Sequence, residues 1–453
     1  MEAATKESRP LFTNQQLCAL IVPLLIEQLL AVAVGMADTM MVSQAGEAAV
    51  SGVSLVDMIN NLIIYLFSAL ATGGAVVTSQ FIGARRIREA GDSAGQLVLL
   101  SLLSGLGILA FCLLCGRPVM RLFFGSITED VMEAGLLYLR ITAVSYPFLA
   151  LYNAGAALFR SVGNSGISMR VSIVMNLINI VGNAIGVLVL HLGVAGVALP
   201  TLISRAVAAF LILRAAEHGA GPVQLHLRGL RLRGHMVRRI LEIGVPSAVE
   251  NGLFQLGRLL VVSIIATFGT AQIAANAVAN NLDGMAILGG QALGLATITV
   301  VGQCVGAGDY AQARRYNRKL MLISWLLIAA SVAAILTSLP LLLNLYNISD
   351  EARVLSAQLV RLHNIPAIAL WCLSFTLPNT LRAAGDARFT MVVSIVSMAV
   401  FRIGFSVVLG IWMGLGAIGV WIAMDIDWVC RVICFVARYF SGAWTRKYQN
   451  YQA

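Results

Sequence analysis

Apolar runs of twenty or more residues recur along nearly the whole chain, and this feature leaves few folds open. A run of that length makes about 30 Å of helix, the thickness of a bilayer's hydrocarbon core. Outer-membrane barrels carry instead a weak alternation over roughly ten residues, which is not the pattern here. Only 11% of the 453 residues are Asp, Glu, Lys or Arg, against about 25% in soluble domains. The expected class is an all-α integral membrane protein. The first run is too long and too acidic for a cleaved signal peptide and has no small-residue cleavage site, so it is expected to remain in the mature protein.

The pattern predicts twelve transmembrane helices: Leu17–Val42, Ala48–Ile82, Ala94–Cys115, Val131–Leu158, Ser168–Leu190, Val194–Ala216, Arg239–Phe268, Ile273–Val305, Leu320–Leu345, Ala352–Leu381, Thr390–Trp412 and Gly416–Tyr439. The odd-to-even connections hold only Arg117 and Arg121 as basic residues. The other connections hold Arg85, Arg86 and Arg88, Arg160, a run from Arg228 to Arg238, a cluster from Arg314 to Lys319, Arg382, Arg388, Arg446 and Lys447. Positive charge collects on cytoplasmic loops, so both termini are expected in the cytoplasm. The same asymmetry accounts for the net charge of +10 without a nucleic-acid partner.

The two halves repeat. VPLLIEQLL at Val22 returns as VPSAVENGL at Val245, displaced by 223 residues, which carries Pro23 onto Pro246 and Glu27 onto Glu250. The same shift carries Gln80 onto Gln303 and Gly83 onto Gly306, and a shift of 222 carries Arg160 onto Arg382. Six helices are duplicated, and because six is even both copies enter from the same side. The expected architecture is two pseudo-symmetric six-helix lobes, residues 1–225 and 226–453, around a central cleft, with the polar stretch after Glu217 as linker.

Charged and amide side chains inside apolar helices mark the candidate sites, since each costs free energy at membrane depth. The first helix holds Glu27 and Asp38, and Pro23 gives it a place to bend. Asn176, Asn179 and Asn183 share a face of the fifth helix. They either join helices by hydrogen bonds or, with the Asp38 carboxylate and the Thr201 hydroxyl, form a hard-cation or proton site. At the shift of 223, Asp38 falls on Val261, so its role is not duplicated. The second half offers Glu250, Arg258, Asp283, Arg402, Asp425 and Asp427, as a self-neutralising ion-pair network or as a polar wall of the cleft. In the second of these readings Glu27 and Glu250 face each other across the pseudo-axis. The seven cysteines, Cys112 and Cys115 among them, lie in apolar runs and are expected as reduced thiols. The five histidines, His363 included, are scattered, and no enzymatic motif is present.

The MADTMMVSQAG stretch, the GARR and GAGD loops, the LFRSVGNS and TLRAAGDA loops and the MNLINIVGNAIG helix, in this order and duplication, resemble the multidrug and toxic compound extrusion transporters over essentially the whole chain. That resemblance implies that Asp38, Asn179, Asn183 and Thr201 form a Na⁺ or proton coupling site in the N-terminal lobe, and that Pro23 is the bending proline. Some relatives carry an acid where Asn183 stands, so this site has one negative charge fewer. The implied function is secondary antiport in the bacterial cytoplasmic membrane. Amphiphilic, cationic drugs or toxic organic compounds leave as Na⁺ or H⁺ enters, with no enzymatic activity and no cofactor beyond the coupling ion, in a monomer. The cleft is expected to use Glu27, Glu250, Asn176, Arg258 and Asp283. The rival within transport is a flippase for lipid-linked or polysaccharide precursors. It should line its cleft with several Arg or Lys, whereas the charges near the first helix are acidic.

Overall fold

The computed structural model describes residues 10–42, 47–125, 128–218, 223, 225, 231–346 and 348–449. The N-terminal tail to residue 9, the loop at 43–46 and most of the linker after Glu217, Arg228 included, lie outside the described residues. The helices are α1 (Asn14–Val42), α2 (Glu47–Gly83), α3 (Ile87–Phe124), α4 (Glu129–Val144), α5 (Tyr146–Ser161), α6 (Ser165–Ala184), α7 (Ala195–Glu217), α8 (Gly234–Ala266), α9 (Thr270–Ala286), α10 (Leu288–Gly306), α11 (Tyr310–Asn344), α12 (Asp350–Trp371), α13 (Leu377–Ala383), α14 (Ala387–Ser397), α15 (Gly416–Phe440) and α16 (Ala443–Gln449). Among the described residues ten helical stretches are long and apolar enough to cross a membrane, eleven when α4 and α5, bent by 45°, count as one. The twelfth span, α15, has 25 residues and carries Asp425, Asp427 and Arg431.

Three of the expected helices are broken or extended. Val131–Leu158 is two helices, because Pro147 has no N–H to give the preceding turn and Ser145 caps that turn through Thr142. Ile273–Val305 breaks at Ile287, beside Gly284, Gly289 and Gly290. The last of these lets Trp371 approach so closely that a Cβ would meet its ring at 2.1 Å. The third helix runs from Ile87 through Pro118 to Phe124, so Arg117 and Arg121 are helical. π-helical turns at Ile185–Val189, Cys372–Thr376, Met398–Gly404 and Ser406–Trp412 widen α6, α12 and α14.

Each half has its own apolar core, and the two exchange helix ends. Phe12, just ahead of α1, and Leu17, Leu20, Ile21 and Leu24 of α1 are buried in the core of the second half. Met236, Ile240 and Ile243 of α8 are buried in the core of the first. At the end of each of these segments the proline pair, Pro23 and Pro246, marks where the helix passes over to its own half. Pro23 frees the Ala19 carbonyl of its usual N–H, and the Ser165 hydroxyl of α6 donates to Ala19 at 3.3 Å and to Leu20 at 2.6 Å.

The halves meet at the end that carries the arginine-rich loops. A Cβ on Gly83 would stand 1.9 Å from the Gln303 carbonyl oxygen, and one on Gly306 the same 1.9 Å from that of Gln80. Gln80 Nε2 donates to the Ala383 carbonyl at 2.8 Å and Gln303 Nε2 to that of Ser161 at 2.7 Å. The crossing of α2 and α10 is therefore reciprocal, with only glycine fitting at its two tightest points.

Candidate coupling site and central cavity

Helices α1, α6 and α7 bring the four residues of the candidate coupling site together. Asn183 Nδ2 donates to Asp38 Oδ1 at 2.8 Å and lies 3.3 Å from Asn179 Oδ1. Asn179 Nδ2 donates to Thr201 Oγ1 at 3.0 Å, and that hydroxyl donates in turn to the Val197 carbonyl. The fully buried Asn183 is left with an Oδ1 that has no hydrogen-bond partner among the described residues. A buried acceptor without a donor is costly, and a cation or a proton-bearing group is what such an oxygen lacks.

A second polar group adjoins this chain and was not anticipated from the sequence. Asp57 accepts from Asn60 at 3.0 Å and from the Tyr138 hydroxyl at 3.1 Å, and Tyr146 donates to Asn60 at 2.6 Å. Arg205 donates to Ser145 at 2.7 Å, at the α4–α5 break, and its charge reaches both Asp38 and Asp57. Arg205 follows Thr201 by one helical turn, which places both on one face of α7.

Glu27 and Glu250 do not face each other across a cleft; each is held within its own half. Glu27 accepts from Ser168 at 2.6 Å and lies 3.9 Å from Arg160. Glu250 accepts from Arg382 at 2.7 Å and from Ser394 at 2.6 Å. Arg160 and Arg382, read from the sequence as loop charges, are thus partners of buried acids. Arg258, one face along α8 from Glu250, is not its partner.

A cavity of about 480 Å³ lies between the halves. Glu250, Arg258 and Asp283 line it; Glu27 and Asn176 do not. Asn176 lies 3.4 Å from Ser172 on its own helix. Arg382, Arg402 and Arg431 also reach the lining, so four guanidiniums face it against two carboxylates. The acidic charges near the first helix, which weighed against a flippase, do not line this cavity, and its guanidiniums outnumber its carboxylates. Behind the wall Asp427 takes Arg431 at 3.0 Å and Arg402 at 3.2 Å. His363 is not scattered but fully buried in α12, its Nδ1 2.6 Å from Asp425 and its Nε2 3.9 Å from Asp283.

Comparison with known proteins agrees with this architecture. The MatE family model matches twice, over residues 23–185 and 246–408, two segments displaced by the same 223 residues as the internal repeat. YisQ of Bacillus subtilis, described as an uncharacterized transporter, is 29% identical over 98% of both chains. The probable multidrug resistance protein NorM of Thermotoga maritima is 23% identical, over 96% of this chain and 94% of its own. The fold matches an outward-facing multidrug resistance transporter of the same family with a TM-score of 0.89 and 22% identity, over 95% of this chain and 96% of that one.

Proposed function

The chain belongs to the MATE family of transporters, and from that membership we propose that it is a secondary antiporter exporting amphiphilic organic compounds, drugs among them, in exchange for Na⁺ or H⁺. Its place is the bacterial cytoplasmic membrane, with both termini cytoplasmic and lobes of residues 1–225 and 226–453. The observation that carries the coupling is the Asp38–Asn183–Asn179–Thr201 chain with its unpartnered Asn183 oxygen. One carboxylate and neutral oxygens suit a single positive charge, whether proton or monovalent cation. Such a site biases conformation only if one state of the lobes binds the ion more tightly than the other. The helix that carries Asp38 is anchored at its start in the opposite lobe, so ion binding has a lever on the lobe arrangement. Glu27 and Asn176 serve this half's packing, while Glu250, Arg258 and Asp283 serve the cavity.

The four arginines favour a second reading, a flippase for lipid-linked precursors. A cavity near 480 Å³ is of the size that encloses a drug-sized molecule, about 300–1,000 Å³, which supports the exporter. The test is transport in reconstituted vesicles with a Na⁺ gradient alone and a proton gradient alone. Asp38→Asn keeps size and hydrogen bonding but cannot take up a proton or balance a cation. It should bind substrate normally and lose gradient-driven efflux. Ordinary ion-driven efflux by that variant would end the assignment of Asp38.

A further inference from the structure

We propose that the central cavity selects amphiphilic organic anions, an apolar and preferably aromatic body bearing a carboxylate, sulfonate or phosphate, rather than cations. The inference rests on the exporter reading of the same cavity and narrows its cargo.

The charges on the wall do not cancel. Glu250 neutralises Arg382 at 2.7 Å. Asp427, fully buried, is shared between Arg402 and Arg431, so one carboxylate offsets two guanidiniums. Arg258 forms no hydrogen bond or ion pair among the described residues and is exposed toward the cavity; its charge and that of Arg402 reach Asp283. Asp425 does not reach the lining and is engaged by His363 at 2.6 Å. An anionic head group between Arg258 and the Arg402–Arg431 pair would receive charge-assisted donors now short of acceptors. With Asp283 counted beside Glu250 and Asp427, four guanidiniums meet three carboxylates, and a cation there would meet the one surplus positive charge.

The aromatic wall points the same way. Aromatic faces can hold cations, yet here guanidiniums of the protein already lie over two of the lining rings, Phe254 and Phe375. Arg402 lies over the Phe254 ring at 5.0 Å, and Arg431 lies over Phe254 at 5.5 Å and Phe375 at 5.4 Å. Trp371 stacks on Phe375 at 5.2 Å and completes an apolar surface for the body of a substrate rather than a cage for its charge. The shift of 223 that relates the halves puts Gly35 opposite Arg258, so the free guanidinium belongs to one half only.

The probes are pyrenebutyrate and its trimethylammonium analogue on the same ring and tether, titrated into the full chain in nanodiscs of zwitterionic lipid. Energy transfer from Trp371 and Trp428, both at the cavity, reports binding. The wild type should bind the carboxylate at least about tenfold more tightly than the ammonium, and Arg258→Gln should lose about that factor. Arg258→Glu should reverse the order while melting close to the wild type, since Arg258 has no hydrogen bond or ion pair among the described residues to lose. Equal affinity for the two probes, a preference for the ammonium, or indifference to Arg258→Glu would overturn the proposal. Arg431→Gln serves as a second variant, read only if its melting is cooperative. Adding phosphatidic acid to the nanodiscs separates the two sources of such an anion: displacement of the probe assigns it to the bilayer, and no displacement to a free solute. Gradient-driven export of the ammonium without carboxylate binding would sink the selectivity and leave the exporter standing. Selective carboxylate binding with no movement under either gradient would do the reverse.

Discussion

Arg160 and Arg382 show what a residue-by-residue reading of a membrane chain misses. Each ends a helix next to a loop, so by charge position alone each counts toward the cytoplasmic excess; folded, they turn inward to Glu27 and Glu250. The two pairs differ in closeness, and stability should follow. Arg382→Met strands the buried Glu250 carboxylate and should cost about 3–5 kcal/mol, whereas Arg160→Met, which loses a contact of 3.9 Å, should cost clearly less. Adding Glu250→Gln to Arg382→Met should recover most of the loss, read as thermal unfolding of the purified protein. A signal for these pairs was present in the sequence: both the acids and the arginines recur at the repeat distance, and charges duplicated together inside apolar helices need each other. No such signal existed for His363 or Arg205. Neither has a duplicated partner, and their acids lie on helices far away in sequence. By contrast Asn179 and Asn183 were legible as a pair because one helical face sets their spacing, whereas Asp38 and Thr201, on other helices, joined them only as polar groups in apolar helices and through the family resemblance.

At the scale of the helix, length was legible and interruption was not. Twelve spans followed from apolar run length, but the breaks at Ser145 and Ile287 depend on what packs against them, Gly105 beside Pro147 and Trp371 over Gly290. The turn after α2 carries a testable residue of the repeat. Arg85 has φ +59° where its counterpart in the other half, Gly308, has φ +72°. Left-handed backbone costs a side chain about 1 kcal/mol. Arg85→Gly should therefore raise the melting temperature slightly or leave it unchanged, while Gly308→Val should lower it. Pro23 works in the opposite sense, as a hinge whose freed carbonyls Ser165 holds. Pro23→Ala restores a helix hydrogen bond and should leave expression near normal while slowing export at matched protein level. Undiminished efflux by that variant would remove the hinge.

For the whole molecule, the crossing of α2 and α10 decides which conformation the structure represents. Since a Cβ at Gly83 or Gly306 would meet backbone and not a movable side chain, Gly83→Val should force this end apart and populate the opposite arrangement of the lobes. Cys304, fully buried at the crossing, reports it: with the other cysteines replaced by alanine, maleimide should label Cys304 in Gly83→Val and spare it in the parent. The reciprocity of this contact has a further meaning. Residue 83 meets 303 as 306 meets 80, which is the relation two identical subunits have across a dyad. The crossing thus has the form of a homodimer seam carried within one chain, and Asp38 and Arg258, which the repeat does not duplicate, are places where its two halves differ. Such a seam should still close without the covalent join, so the segments 1–225 and 226–453 made as separate polypeptides should find each other in the membrane and copurify as a functional pair.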